Sequence, residues 1–303
     1  MTKNRLDIHQ HVTDTIIAQM EAGTAPWRKP WIGGVGGASF PLRHNGEAYR
    51  GINVLMLWAV AHEQGYNSAH WMTFKQAIDL GGMVKKGEKC ARSVFYGTFE
   101  KDTDGQSEGA TKGEDGKTRI PYAKCNNVFN ADQIEGLPAE FYATPEAPRD
   151  LGTEPNAELD AFFARTGADI ISSTEPRAYY RPSTDQIHMP PIATFHEVNG
   201  FYSTLSHELA HWSGSEKRLD RIKKFQNREA YAFEELVAEI GNCLLCLHLG
   251  VTPDFDQSAA YVEGWLSALK DDKGLIFKAA SEAQKAVDYI LLAASENQEA
   301  ESA

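Results

Sequence analysis

Apolar residues recur every three or four positions over several stretches, and each such stretch predicts a helix. Ile8, Val12, Ile16 and Met20 mark one over 4–22, ended by Gly23. Ile52, Leu55, Leu57, Trp58 and Val60 mark a buried helix over 51–64, and a shorter one over 73–80 stops at Gly81-Gly82. Phe201, Leu205, Leu209 and Trp212 mark another, with Asn199 as its expected cap and Gly214 as its end. Ala230, Phe233, Val237, Ile240, Leu244 and Leu247 carry the period through Glu229 to His248. Helices over 158–166, 257–270 and 275–294 complete the set, with a polar tail after Ser295 that is expected to fray. Two segments break the helical period. Residues 84–96 read as a basic turn feeding a strand, mirrored by a strand over 120–129. The polar stretch 101–118 between them reads as a disordered hairpin insertion. Tyr179 to Pro190 reads as a hairpin turning at 182–186. Trp58, Phe74, Phe95 and Phe129 read as core residues of the first half.

This pattern predicts an α+β protein of two domains. Four prolines fall within 138–156 without a clear period, so the expected division is 1–140, a linker over 141–156, and 157–303. No apolar run approaches the roughly 18 residues of a membrane span and no signal peptide is visible, so the expected location is cytoplasmic with no membrane contact. The net charge of -12 is lopsided. Residues 1–140 balance 16 basic against 16 acidic side chains, so the whole acidic excess lies in the second half and would repel a polyanion there. The four cysteines do not make a disulfide framework, and Cys243 and Cys246 sit inside a predicted helix as packed thiols.

Chemistry enters at His207-Glu208-Leu209-Ala210-His211. On a helix, residues i and i+4 share a face, so two imidazoles can bind one ion, with Glu208 beside them as general base for a metal-bound water. Neither histidine belongs to the apolar stripe, so neither is needed for the core. The next helix offers Glu234, Glu235 and Glu239. Glu235 is the expected third ligand because Glu239, one turn on, can accept the free N–H of a ligand histidine and fix its tautomer. Zn²⁺ is the expected ion, with Mn²⁺ as an alternative for the same donors. A structural zinc site would want a fourth Cys or His, and none stands near His207.

In the first half, Trp27-Arg28-Lys29-Pro30-Trp31 alternates aromatics with cations on a proline-stiffened segment, and Lys85, Lys86, Lys89 and Arg92 form a basic cluster. Single-stranded nucleic acid is held by such a combination of stacking faces and positive charge. The competing expectation is a chain that only coats DNA, with a structural or vestigial metal site.

Taken together, these stretches and their order resemble the ArdC-type antirestriction proteins of conjugative plasmids. The resemblance rests on Ala25 to Trp31, Tyr49 to Leu55, Lys85 to Lys89, Val128 to Pro138, His207 to Gly214 and Glu234 to Glu239, which span nearly the whole chain. It implies an N-terminal single-stranded-DNA-binding domain, shared with plasmid TraC primases, and a C-terminal gluzincin-like metallopeptidase domain. It implies His207, His211 and Glu235 as metal ligands, Glu208 as base, and a role in protecting incoming plasmid DNA from restriction. If peptide hydrolysis occurs, an oxyanion donor is needed; Tyr261 is the expected one, with Tyr231 behind it, and the strand Ile187 to Met189 is expected to align a peptide substrate.

Overall fold

In a computed structural model of the chain, the described residues are 7–302 other than 24, 26, 28–38, 102–110, 113–117, 145–150, 153, 223–227 and 255–258. Arg28, Lys29, Trp31 and the side chain of Tyr261 therefore lie outside the described residues.

The first half opens with α1 (Ile8–Glu21), whose first turn is capped by Asp7 accepting from the Gln10 N–H. There follow β1 (Leu42–Arg43), α2 (Ile52–Gln64), β2 (His70–Met72) and α3 (Phe74–Asp79), the last started by a Thr73–Gln76 capping box. Then come β3 (Met83–Val84), β4 (Ala91–Lys101), β5 (Thr111–Lys112), β6 (Thr118–Asn130) and β7 (Ile134–Glu135). The sheet runs β1-β2-β6-β4, with β5 also on β6, while β3 and β7 form a small ladder of their own. The dominant feature is the antiparallel pair β4–β6, in register from Ala91↔Val128 to Lys101↔Thr118. Part of the stretch expected to be disordered is thus strand, since β5 pairs with β6 at Thr111↔Arg119.

The second half holds α4 (Ala157–Arg165), β8 (Asp169–Ser172), β9 (Tyr179–Arg181), β10 (Gln186–Met189), α5 (Val198–Ser213), α6 (Arg228–Leu249), α7 (Ala259–Asp271) and α8 (Leu275–Ser302). Helix α6 is buried at every residue from Leu236 to Cys246, as expected of a central helix packed by neighbours on all sides. Cys243 and Cys246 are among those residues, and burial pushes the Cys246 thiol up to about 12. Helix α8 extends past Ser295 instead of fraying: the Asn297 side chain donates to the Arg165 carbonyl at 2.6 Å and ties that end to α4.

One hydrophobic core runs through both halves, and a smaller one of Met72, Ala77, Ala131, Ile134, Leu137 and Phe141 lies within the first. The halves meet at named contacts. Thr13 donates to the Lys273 carbonyl at 2.7 Å, Gln284 accepts the Gly51 N–H at 3.1 Å, and Arg50 pairs with Asp288. Trp27 packs edge-on against Trp265 of α7 at 6.1 Å and is fully buried. That corrects the expected stacking role of Trp27: a ring with no accessible face cannot receive a base. Phe74 and Phe95, expected in the core, are half exposed. Among the described residues, no helix is long and apolar enough to cross a membrane.

Candidate metal centre

Helices α5 and α6 pack closely because Gly241 offers no side chain where Ala210 arrives; a Cβ on Gly241 would stand 3.2 Å from that of Ala210. Ala210 lies between the two histidines in sequence, so this close approach brings the carboxylates of α6 to them. A buried polar link, Asn242 Nδ2 donating to Ser203 Oγ at 3.1 Å, fixes the same pair of helices. The start of α5 differs from expectation. Glu197 occupies the cap without a side-chain bond, and Asn199 lies inside the helix, where its Oδ1 accepts the Thr252 N–H at 3.0 Å.

His207 Nε2 and His211 Nε2 stand 3.2 Å apart. Glu235 reaches both, at 3.6 Å from His207 and 3.5 Å from His211. Two nitrogens about 2.0–2.1 Å from one tetrahedral ion lie roughly 3.3 Å apart, so these donors fit a single ion of zinc or manganese size. They form the one group of this kind found among the described residues. Glu208 is buried, and its Oε2 accepts the backbone N–H of Tyr180 at 2.7 Å.

The second helix supports the histidines in a way the sequence did not reveal. Glu234, adjacent to Glu235, lies 3.3 Å from His211 Nδ1 and can fix that ring's tautomer. Arg221 grips Glu234 with two parallel bonds, Nε to Oε2 at 2.7 Å and Nη2 to Oε1 at 2.8 Å, and also donates to the Ala210 carbonyl at 2.7 Å. Gly214 makes room for it: a Cβ there would stand 2.8 Å from the guanidinium. Glu239 is buried, and its charge helps to hold His207 protonated. Tyr231 is partly exposed and its hydroxyl hydrogen-bonds Glu235.

The strand order corrects one expectation. β10 is central, flanked by β8 in parallel and β9 antiparallel, so Ile187 and His188 are paired on both sides and offer no open edge to a peptide, while Met189 is paired with β8 alone. The edge strands are β8 and, on the side of Glu208, β9. The Tyr180 N–H of β9 points at Glu208, and the Tyr180 hydroxyl donates to Asp185, which Arg218 also holds.

The basic cluster of the first half lies on the turn between β3 and β4 and at the start of β4. Lys85, Lys86 and Lys89 are exposed, with Lys85 Nζ donating to the Asp132 carbonyl at 2.8 Å. Arg92 is half-buried and bonded to Asn127 across the β4–β6 pair.

Comparison with known proteins agrees with this architecture. Residues 157–282 match the zincin-like metallopeptidase family, and residues 6–129 match the N-terminal domain of the anti-restriction factor ArdC. Two DNA primases TraC of Escherichia coli are 37% and 38% identical over 96% and 93% of this chain; the chain spans 28% and 20% of their lengths. The uncharacterised protein y4eC of Sinorhizobium fredii is 36% identical, covering 94% of this chain and 91% of its own. The metal-free crystal structure of the antirestriction protein ArdC from plasmid R388 superposes with a TM-score of 0.84 at 58% identity, over 96% of this chain and 99% of that one. A Mn(II)-bound structure of the same protein gives 0.83 at 58%, over 95% and 98%. With that identity sustained over both halves, the chain belongs to the ArdC antirestriction family.

Proposed function

We propose that this protein binds single-stranded DNA to protect incoming plasmid DNA from restriction, and that its second half carries a metal-dependent hydrolytic centre of the peptidase type. The observation that carries the second clause is the convergence of His207, His211 and Glu235 at spacings suited to one ion. That an ArdC relative has a Mn(II)-bound structure supports a divalent ion in this chain, and imidazole with carboxylate accepts Zn²⁺ or Mn²⁺. Such an ion supplies a Lewis acid for a carbonyl oxygen and brings the pKa of water near 7. The remaining work belongs to the chain. Glu208 takes the proton of the attacking water and delivers it to the leaving amine, and the Tyr180 N–H holds its carboxylate in orientation. Tyr231 and Tyr261 are the candidate oxyanion donors. A purely structural site would close with four protein ligands, whereas three gather among the described residues.

The DNA clause is supported by the match of 6–129 to the ArdC N-terminal domain and by the exposed Lys85, Lys86 and Lys89. Its test is fluorescence anisotropy of the whole chain with labelled single-stranded and duplex oligonucleotides over a salt series. Single strands should bind more tightly, with affinity falling as salt rises, because neutralised phosphates release counterions. Absent binding, or equal affinity for duplex, ends this reading.

A second expected result concerns pH. Without an ion, burial pulls the His207 imidazole down, but the Glu235 hydrogen bond and the charges of Glu208, Glu235 and Glu239 outweigh it and raise it to about 9. Burial pushes the Glu235 carboxyl up, but the His207 hydrogen bond and both histidine charges outweigh it and lower it to about 2. The raised histidine stabilises the fold fully below its ordinary 6.5, and that stability is lost as pH rises through 9. The depressed glutamate contributes above 4.5, and that contribution is lost as pH falls through 2. A metal ion must displace the His207 proton to bind. The rise in melting temperature on adding Mn²⁺ or Zn²⁺ should therefore be small near pH 6 and grow toward pH 9. A rise largest at the acid end would contradict this account.

A further inference from the structure

The β4–β6 register places an exposed aromatic pair on one face of the first half. Phe95 stands opposite Lys124 and Gly97 opposite Tyr122, and residues directly opposite in an antiparallel pair share a face. On this face Phe95 is 50% and Tyr122 40% exposed, with ring centres 6.1 Å apart. A Cβ on Gly97 would stand 2.8 Å from ring atoms of both, so the two rings close over the space that the glycine leaves. The next pair toward the base of the hairpin, Ser93 and Asn126, opens into a cleft of about 210 Å³. Its other wall is the turn carrying Arg43, His44 and Asn45, with Tyr49 below. This is smaller than the roughly 300 Å³ or more of an enclosed small-molecule pocket.

Charge decides what such a surface suits. Among the described residues, no aspartate or glutamate lines the cleft, in a chain of net charge -12. Arg43 lies with its guanidinium 5.4 Å from the Tyr49 ring centre, and Lys124 is exposed beside Phe95. Among the described residues, Glu47 is the carboxylate paired with Arg43, at 3.5 Å, and it is not among the lining residues. Asn45 and Asn126 offer both donors and acceptors, and the Gln76 amide N–H a further donor, as base edges require. Two exposed rings, flanking cations and an acid-free polar cleft match the needs of an unpaired nucleotide better than those of a protein partner, which would leave the amides and cations without purpose.

We propose that this hairpin face is the single-stranded-DNA platform: one base stacks on Phe95 and Tyr122, and its neighbour enters the cleft under Arg43 and Asn126. The proposal rests on the single-stranded-DNA reading above and relocates the contact from the tryptophan segment to the sheet.

The test measures binding of a labelled oligothymidylate to the full chain by anisotropy. Phe95→Ala with Tyr122→Ala should weaken binding roughly ten- to hundredfold, the range of base stacking on aromatics. Gly97→Val keeps every ring and charge but forces the two rings apart, and should weaken binding by a comparable factor. Phe95 and Tyr122 are exposed, so the double variant should melt near wild type, and because the rings that Gly97→Val displaces are exposed, that variant should stay folded at the assay temperature, which its melting curve checks. Lys124→Ala should weaken binding less and flatten its salt dependence. Leu292→Ala, exposed on α8, should change nothing. Wild-type binding that survives both the double variant and Gly97→Val would overturn the platform and leave the face to a protein partner, with the DNA reading intact. A wild-type chain that does not bind oligothymidylate would overturn both.

Discussion

His211→Ala should purify without its divalent ion, melt at a lower temperature than the metal-loaded wild type, and show no hydrolytic activity. The imidazole is one of the three groups placed to hold the ion, and its Nε2 faces both His207 and Glu235 within 3.5 Å. An ion that binds only the folded chain stabilises it by about 2.7 kcal/mol at a hundredfold excess over its dissociation constant, and this stabilisation disappears with the site. Glu235→Ala should do the same. Glu208→Gln should behave oppositely: the amide oxygen still accepts the Tyr180 N–H, so metal content stays at the wild-type level. Any hydrolysis should fall roughly 10²–10⁴-fold, the usual worth of a general base. Glu234→Ala lies between the two, because it removes a support of His211 and not a ligand; metal affinity should drop roughly 10–100-fold. Metal analysis by mass spectrometry separates these outcomes. A metal-free Glu208→Gln beside a fully loaded His211→Ala would reverse the assigned roles.

Arg221→Ala should destabilise the fold by about 3–5 kcal/mol, since it leaves a buried carboxylate without its cation. Both partners are nearly inaccessible, at 5% and 2% exposure, and the guanidinium makes two bonds to Glu234 and also donates to the Ala210 carbonyl and the Ser213 hydroxyl in the last turns of α5. Burial alone would push the Glu234 carboxyl up; His211 and Arg221 together hold it below its ordinary value. Combining Arg221→Met with Glu234→Gln removes both charges and should recover much of the lost stability in urea unfolding. Metal affinity should stay reduced, because the bond to His211 is weaker from an amide. If Arg221→Ala unfolds at the wild-type urea concentration, the pair is not a structural element of the centre.

The contrast between Glu234 and Glu235 shows where the sequence stopped being legible. Both helices were readable from their apolar period, and the His207–His211 pair from its four-residue step. Which of two adjacent glutamates meets which nitrogen depends on how α6 is rotated against α5, and on the loop that returns Arg221 to Glu234. No local spacing encodes either. The same limit explains Phe95 and Trp27. Alternation says that Val94 and Phe95 face opposite ways, but not which side is covered. The covered side holds Val94, whose backbone pairs with the Asn53 amide of α2 at 2.7 and 2.9 Å. Trp27 lies beside cations in sequence, yet its cover is Trp265, at the far end of the chain. The hairpin ending in β10 was visible from its turn, whereas β8 closing its other edge is a long-range parallel pairing that turn chemistry cannot announce.

The core shared by the two halves also sets the unit in which this sequence can be moved. A cut between them would bare the faces where Trp27 meets Trp265, Gly51 meets Gln284 and Thr13 meets Lys273. Recombination that joins this segment to another gene is thus expected to carry it as one cassette. The TraC relatives fit that expectation: they match 96% and 93% of the chain inside proteins more than three times as long. A designer grafting the N-terminal half onto a new partner inherits the C-terminal half with it.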